Sequence, residues 1–174
     1  MASSPGPLPP AEVVRRLRAQ FGEDLLDAAE VHGEAVVKVS PARYRELVQM
    51  LRDDPELGFD FLDFVSAVDR KEEGLELVVQ LYSTAHRHRA RVKVGCDTEE
   101  PRVPTIHDLY PGANWHERET WELFGIDFEG HPQLVKLILP EPFEGHPLRK
   151  DFVLMSRVAK PWPGEEKAEG EEGE

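Results

Sequence analysis

Leu75-Glu76-Leu77-Val78-Val79-Gln80-Leu81-Tyr82, followed through Ser83-Thr84-Ala85 by His86-Arg87-His88-Arg89-Ala90-Arg91-Val92-Lys93-Val94, decides the fold. Leu75, Leu77, Val79 and Leu81 recur with a period of two, so one side of an extended chain is apolar throughout. In the second stretch Ala90, Val92 and Val94 share one side, and Arg87, Arg89 and Arg91 share the other. The connection between them is short enough for an antiparallel hairpin.

Working outward, Ala35-Val36-Val37-Lys38-Val39 reads as a further strand. Ser40-Pro41 then supplies a helix cap and first turn, and Tyr44, Leu47, Val48 and Leu51 fall on one helical face. Asp53-Asp54-Pro55 ends that helix. Upstream, Ala11 to Phe21 carries Val14, Leu17 and Phe21 at helical spacing, with Gly22 as a stop. Phe59 to Asp69 is a mixed apolar run that fits a helical turn leading into a strand, with the boundary between them open. Downstream, Asn114 is placed to cap a helix from Trp115 to Phe124, with Gly125 just after it. Helix, strand, helix and then a run of strands predict an α+β domain with a mostly antiparallel sheet and flanking helices, followed by an extended C-terminal arm.

The arm stands out by composition. Gly125 to Met155 holds Pro132, Pro140, Pro142 and Pro147, which leave no room for a helix of useful length. It is nevertheless rich in large apolar groups, among them Ile126, Phe128, Leu137, Ile138, Phe143 and Leu148, which disordered tails lack. Such a segment needs a surface to lie on, either its own domain or a partner protein. The expected organisation is a disordered N-terminal arm over 1–10, a globular domain over 11–125, a partner-binding arm over 126–158 and an acidic disordered tail over 159–174.

The net charge of −13 opposes a general nucleic-acid role, which needs a concentrated basic surface. Cys96 is the sole cysteine, so neither an internal disulfide nor a four-cysteine iron–sulfur site can form. No stretch reaches the roughly 20 apolar residues of a membrane span. The first residues lack the pattern of a signal or transit peptide, which predicts a soluble protein in a reducing cytoplasm. Scattered Gly95, Gly112 and Gly125 make no phosphate-cradling loop, so no site for NADH or flavin is visible.

The densest chemical cluster is Trp115-His116-Glu117-Arg118-Glu119-Thr120-Trp121-Glu122-Leu123-Phe124. On a helix Glu119 and Glu122 lie one turn apart, and Arg118 can pair with Glu122. A carboxylate pair suits acid–base chemistry, but no nucleophile, metal motif or cofactor loop accompanies it, which favours an ion-paired contact between subunits. Phe128-Glu129-Gly130-His131-Pro132 recurs as Phe143-Glu144-Gly145-His146-Pro147. His131 and His146 either share a metal or each pin a turn; no further ligand completes a metal site, which favours pinning. His86 and His88 read as surface histidines, and the arginine stripe as a match for acidic groups of a neighbouring protein.

Pro104-Thr105-Ile106-His107-Asp108-Leu109-Tyr110-Pro111-Gly112-Ala113-Asn114-Trp115 runs directly into Glu117-Arg118-Glu119. Then follow Glu122-Leu123-Phe124-Gly125-Ile126, Phe128 to Pro132, and Glu144-Gly145-His146-Pro147-Leu148-Arg149-Lys150-Asp151. This stretch resembles the C subunit of the proton-pumping NADH–quinone oxidoreductase, complex I, and a weaker likeness reaches back to about Ala35. One departure is Val135, where that family usually places a basic residue; Lys136 follows. The resemblance implies an accessory α+β subunit of the peripheral arm, with no redox cofactor of its own, packed beside the D subunit that helps form the quinone site. Flavin and iron–sulfur clusters would sit in partner subunits, and membrane association would be indirect, at the cytoplasmic face of a bacterial membrane. The expected subunit interface comprises Glu117, Arg118, Glu119, Glu122, Phe128, His131, Leu137, Phe143, His146, Arg149, Lys150 and Asp151, with no catalytic, cofactor or metal residues. Rival readings are the equivalent subunit of a related membrane-bound hydrogenase or other quinone or cofactor dehydrogenase, a stand-alone enzyme using Glu119 and Glu122, and an assembly factor.

Overall fold

A computed structural model describes residues 6–153. Residues 1–5 of the N-terminal arm, 154–158 of the C-terminal arm and the whole acidic tail lie outside the described residues. The elements run α1 (Pro10–Phe21), β1 (Leu25–Val31), β2 (Glu34–Val39), α2 (Pro41–Asp53), β3 (Phe61–Asp69), β4 (Leu75–Tyr82), β5 (Arg89–Cys96), β6 (Arg102–Pro104), α3 (Ala113–Phe124) and β7 (Asp127–Glu129). Five strands form one sheet in the order β1-β2-β5-β4-β3, and β6 pairs with β7 in a second, two-stranded sheet.

The β4–β5 hairpin lies inside the large sheet, in antiparallel register from Leu75↔Cys96 to Tyr82↔Arg89. Its alternating residues build the buried layer: Leu75, Leu77, Val79 and Leu81 face inward with Ala90, Val92 and Val94. Val37 and Val39 of β2 and Val65 and Ala67 of β3 extend that layer. Val13, Leu17 and Phe21 of α1 and Tyr44, Leu47, Val48 and Leu51 of α2 complete the same core. The β2–β5 pair is parallel, because α2 and two further strands intervene and carry the chain back to the same direction.

Two elements depart from the expectations for physical reasons. β1 carries no alternating signal because only Ala28 among its seven residues is buried; it is an outer strand. Its hairpin with β2 closes over His32-Gly33, both at positive φ (51° and 78°), the backbone sense that matches strand twist in a two-residue turn. β3 is a strand throughout, but its register shifts between Leu62 and Phe64. The irregularity breaks the period of two, which is why Phe59 to Asp69 reads ambiguously.

The histidines and arginines after β4 also change place. β5 begins at Arg89, so His86 and His88 belong to the connecting turn rather than a strand face, and both are buried, not at the surface. Their ring nitrogens meet the carbonyls of Pro55 (3.1 Å) and Leu57 (2.6 Å). Arg87 sits in that turn at φ 57°, off the expected stripe. Arg89 and Arg91 pair with Glu34 inside the chain, at 3.8 and 3.0 Å. At the N-terminus α1 already starts at Pro10, and the Leu8 amide lies 3.4 Å from His88 Nδ1.

The segment between β6 and α3 is fastened to α2. Arg45 holds Asp108 through two bonds of 2.6 Å and also reaches the Thr105 carbonyl. That bidentate pairing draws the Asp108 carboxyl down to about 2. Arg52 donates to the Leu109 carbonyl, and the Tyr110 hydroxyl to the Phe59 carbonyl. These contacts fix where α3 begins, at Ala113 rather than after an Asn114 cap.

Candidate functional site

α3 and the arm behind it form one unit. α3 packs along β3, with the Thr120 hydroxyl directed at the Val65 carbonyl. Beyond Gly125 the chain first enters the domain's own core: Ile126 and Phe128 are 0% and 2% exposed, and β7 pairs in parallel with β6 at Val103↔Phe128. Phe128, expected at an interface with a partner, is therefore an interior residue of this chain. From Gly130 to Val153 the backbone is irregular; its middle, from Val135 to Leu148, lies back on α3, and its end reaches Thr98 and Asp69.

Arg118 and Glu122 share a helix face, as their spacing dictates, yet they do not pair with each other. Glu122 is 3% exposed, and its carboxylate accepts from three successive amides: Leu137 (2.9 Å), Ile138 (2.8 Å) and Leu139 (3.3 Å). Arg118 donates to the carbonyls of Val135 (3.0 Å) and Lys136 (3.2 Å). One turn of α3 thus satisfies five backbone groups of a segment that has no ladder of its own. This also removes Glu122 from any acid–base pair with half-buried Glu119, since both its oxygens are engaged. The Lys136 ammonium gathers the next bend, donating to the carbonyls of Phe143 (2.7 Å) and Glu141 (3.0 Å).

The two histidines of the repeated motif do separate jobs. His146 Nδ1 meets the Glu122 carbonyl at 2.9 Å, at the last turn of α3. Its ring lies against Gly125, where an added Cβ would come within 2.7 Å of it. Gly125 also ends the helix at φ 80°, so it is required twice. Gly125→Ala is expected to cost about 1–2 kcal/mol from backbone strain alone, with more from displacing His146; a urea melt measures it. His131 instead faces Glu117 at the first half of α3, with its side chain enclosed. Among the described residues no group of three or more His, Cys, Asp or Glu is placed to hold a metal. Cys96 is buried, and burial pushes its thiol up to about 11, so it is an inert core thiol.

The remaining residues of the expected interface are spread over α3 and the arm. Phe143 stacks on Phe152 at 5.8 Å, and half-buried Leu137 flanks the Glu122 cradle. Arg149 donates to the Thr98 carbonyl, the Lys150 amide to Asp69, and Asp151 is exposed. Glu117 is fully buried. On α3 and the arm the outward-facing apolar groups are others: Trp115 (60% exposed), Val135 (41%), Ile138 (59%), Leu148 (49%) and Val153 (73%); Leu26 and Val31 of β1 and Phe61 and Val68 of β3 are exposed as well. The Arg118 guanidinium lies 5.3 Å from the Trp115 ring centre and stiffens it. For the four on the arm the sequence signal is the apolar content of a proline-broken segment; what it lacks is which of them turn outward. Among the described residues no helix is long and apolar enough to cross a membrane.

The chain matches the family described as respiratory-chain NADH dehydrogenase, 30 kDa subunit, over residues 37–158. It is 47% identical over 146 residues to the NADH-quinone oxidoreductase C subunit of Roseiflexus sp. (strain RS-1), covering 83% of this chain and 84% of that protein. The protein of the same name from Methylobacterium sp. (strain 4-46) is 41% identical over 145 residues, covering 82% and 67%. Among solved structures, the trypsin-resistant fragment (1–134) of Nqo5 superimposes with a TM-score of 0.61 at 30% identity, covering 71% of this chain and 98% of the fragment. A chain of the membrane-bound sulfane sulfur reductase, an archaeal respiratory membrane complex, gives a TM-score of 0.72 at 26% identity, covering 83% and 86%. The matched span takes in the large sheet from β2 onward, the Arg45-fastened segment, α3 and the arm, and so the chain belongs to the 30 kDa, or C-subunit, family of the respiratory NADH–quinone oxidoreductase.

Proposed function

We propose that this chain is an accessory subunit of the peripheral arm of a proton-translocating NADH–quinone oxidoreductase. It docks on the D subunit at the quinone site and supports electron transfer from NADH to quinone without holding a redox centre. Flavin and iron–sulfur clusters belong to partner subunits on this reading, and the chain meets the cytoplasmic face of a bacterial membrane only through the complex. The observation that carries it is the cradle of the arm on α3. Arg118 and Glu122 fix the arm's backbone while Trp115, Val135, Ile138 and Leu148 are left facing outward. Fixing a loop in advance lowers the ordering cost of docking, and aromatic and aliphatic anchors with a polar rim suit a permanent interface. Arg118, Glu119, Leu137, Phe143, His146, Arg149, Lys150 and Asp151 belong to this surface or to its support. Glu117, Phe128 and His131 act from inside.

The test is purification of the complex from membranes through a tag on this chain. Copurification of an NADH-oxidising subunit together with the quinone-site subunit is the expected result, and Trp115→Asp should abolish it while leaving the circular dichroism spectrum unchanged. Copurification with a hydrogenase-type or sulfur-reducing set, without an NADH-oxidising subunit, would replace this reading by its rival. The rival draws support from the likeness to the sulfane sulfur reductase chain.

A further inference from the structure

Glu117 and His131 are enclosed by the chain itself, which a docking role does not explain. Both side chains are fully buried, and Glu117 Oε2 lies 3.9 Å from His131 Nε2. Glu117 Oε1 accepts from the Ile106 amide (2.8 Å) and Oε2 from the Thr105 hydroxyl (2.5 Å). His131 Nδ1 accepts from the Gln133 amide (3.1 Å), which puts the ring proton on Nε2. That Nε2 is buried, faces the carboxyl, and makes no hydrogen bond among the described residues. The Thr105 hydroxyl also lies 3.1 Å from Nδ1 of His107, whose ring is 5.6 Å from that of His131. His107 is half-buried and, with Arg45, Thr105 and Asp108, lines a cavity open to the surface. A hydrogen-bonded path therefore leads from solvent through His107 and Thr105 to Glu117, and His131 closes its inner end.

We propose that Glu117 and His131 form a buried site holding one proton, exchanged with solvent through Thr105 and His107, and that loss of this proton loosens the junction of α3 with the 104–107 segment and the head of the arm. The groups facing the pair are Tyr44 and Arg45 from α2, His107 and Asp108 from the preceding segment, and Arg118 from α3 itself. Burial dominates and pushes the Glu117 carboxyl up to about 7; Asp108 adds to this, while the Ile106 amide, the Thr105 hydroxyl and Arg45 oppose it. Burial first, then His107, draws His131 down, with the Asn114 backbone opposing and Arg118 adding to the lowering, so below about pH 7 Glu117 is the member of the pair that carries the extra proton. The folded chain thus binds a proton at Glu117 that the unfolded chain has lost between about 4.5 and about 7. Stability from Glu117 is full below that window and gone above it. His131 slopes the other way: with its folded value lowered, it contributes stability that is lost as pH falls below 6.5. The alkaline loosening is therefore the Glu117 signature.

The experiment is a pH titration of the full chain by NMR, following the Glu117 carboxyl carbon and the His131 ring nitrogens, beside amide exchange at Ile106. A carboxyl midpoint near 7, an inflection of His131 at the same pH, and its disappearance in Glu117→Gln are expected. Ile106 protection, taken relative to Glu117→Gln, should fall between pH 5 and 7 by up to about 100-fold, two units of linkage. Thr105→Val removes a donor to the ionised form and should move the midpoint upward. A midpoint near 4.5, a His131 signal blind to Glu117, or equal pH dependence of Ile106 protection in the wild type and the Gln variant would overturn the proposal. Should Glu117→Gln not fold, the wild-type midpoint and its shift in Thr105→Val decide, and an unmoved midpoint would sink it.

Discussion

Replacing Glu122 with alanine is expected to free the segment from Leu134 to Leu148 from α3 while leaving the five-stranded sheet folded. Among the described residues Glu122 is the one side chain that accepts from the amides of Leu137, Ile138 and Leu139, and it is 3% exposed. Hydrogen bonds to a charged group are worth about 1.5–3 kcal/mol each, so losing three of them costs local order on the order of 3–5 kcal/mol after partial rescue by water. That is enough to shift the arm from seated to open without touching β4 or β5. Hydrogen exchange measures it: amides 137–139 should lose protection by two or more orders of magnitude, while those of Leu77, Val79, Val92 and Val94 hold theirs. Glu122→Gln keeps one acceptor oxygen and should lose less. Equal protection of 137–139 in the alanine variant would mean that apolar contacts alone seat the arm.

Phe128→Ser and Ile138→Ser are expected to part company, although both remove a large apolar group from the same proline-rich stretch. Phe128 is 2% exposed and sits in register with Val103, so its loss opens a cavity in the core and buries a hydroxyl; about 3–5 kcal/mol of stability goes with it. Ile138 is 59% exposed, so serine there changes stability by about 0.5 kcal/mol or less. If the α3–arm surface meets the quinone-site subunit, Ile138→Ser should weaken copurification and Phe128→Ser should weaken folding. Denaturant melts of both variants, run beside the membrane pull-down, separate the two effects. An Ile138→Ser chain that assembles normally would move the docking surface away from the arm's middle.

The alternation in Leu75 to Leu81 and Ala90 to Val94, and the helical spacing in 41–53, specify elements directly, because side chains two or four apart must share a face whatever surrounds them. The alternation stops being readable where an element lies at an edge, as in β1, or where a bulge resets the phase, as in β3. The same division runs through the site. Spacing put Arg118 and Glu122 on one face, and composition marked the arm as an apolar segment needing a surface. Neither could reveal that the helix binds the arm's backbone instead of pairing its own charges, since main-chain amides carry no sequence signature. Nor could spacing separate Ile126 and Phe128, which enter the core, from Ile138, which faces out. That sorting depends on where β6 and the Arg45-fastened segment come to lie, and on residues dozens of positions away. The sequence determined the helices, the central strands and the family; packing decided which charges became interior fasteners and which apolar groups were left facing outward.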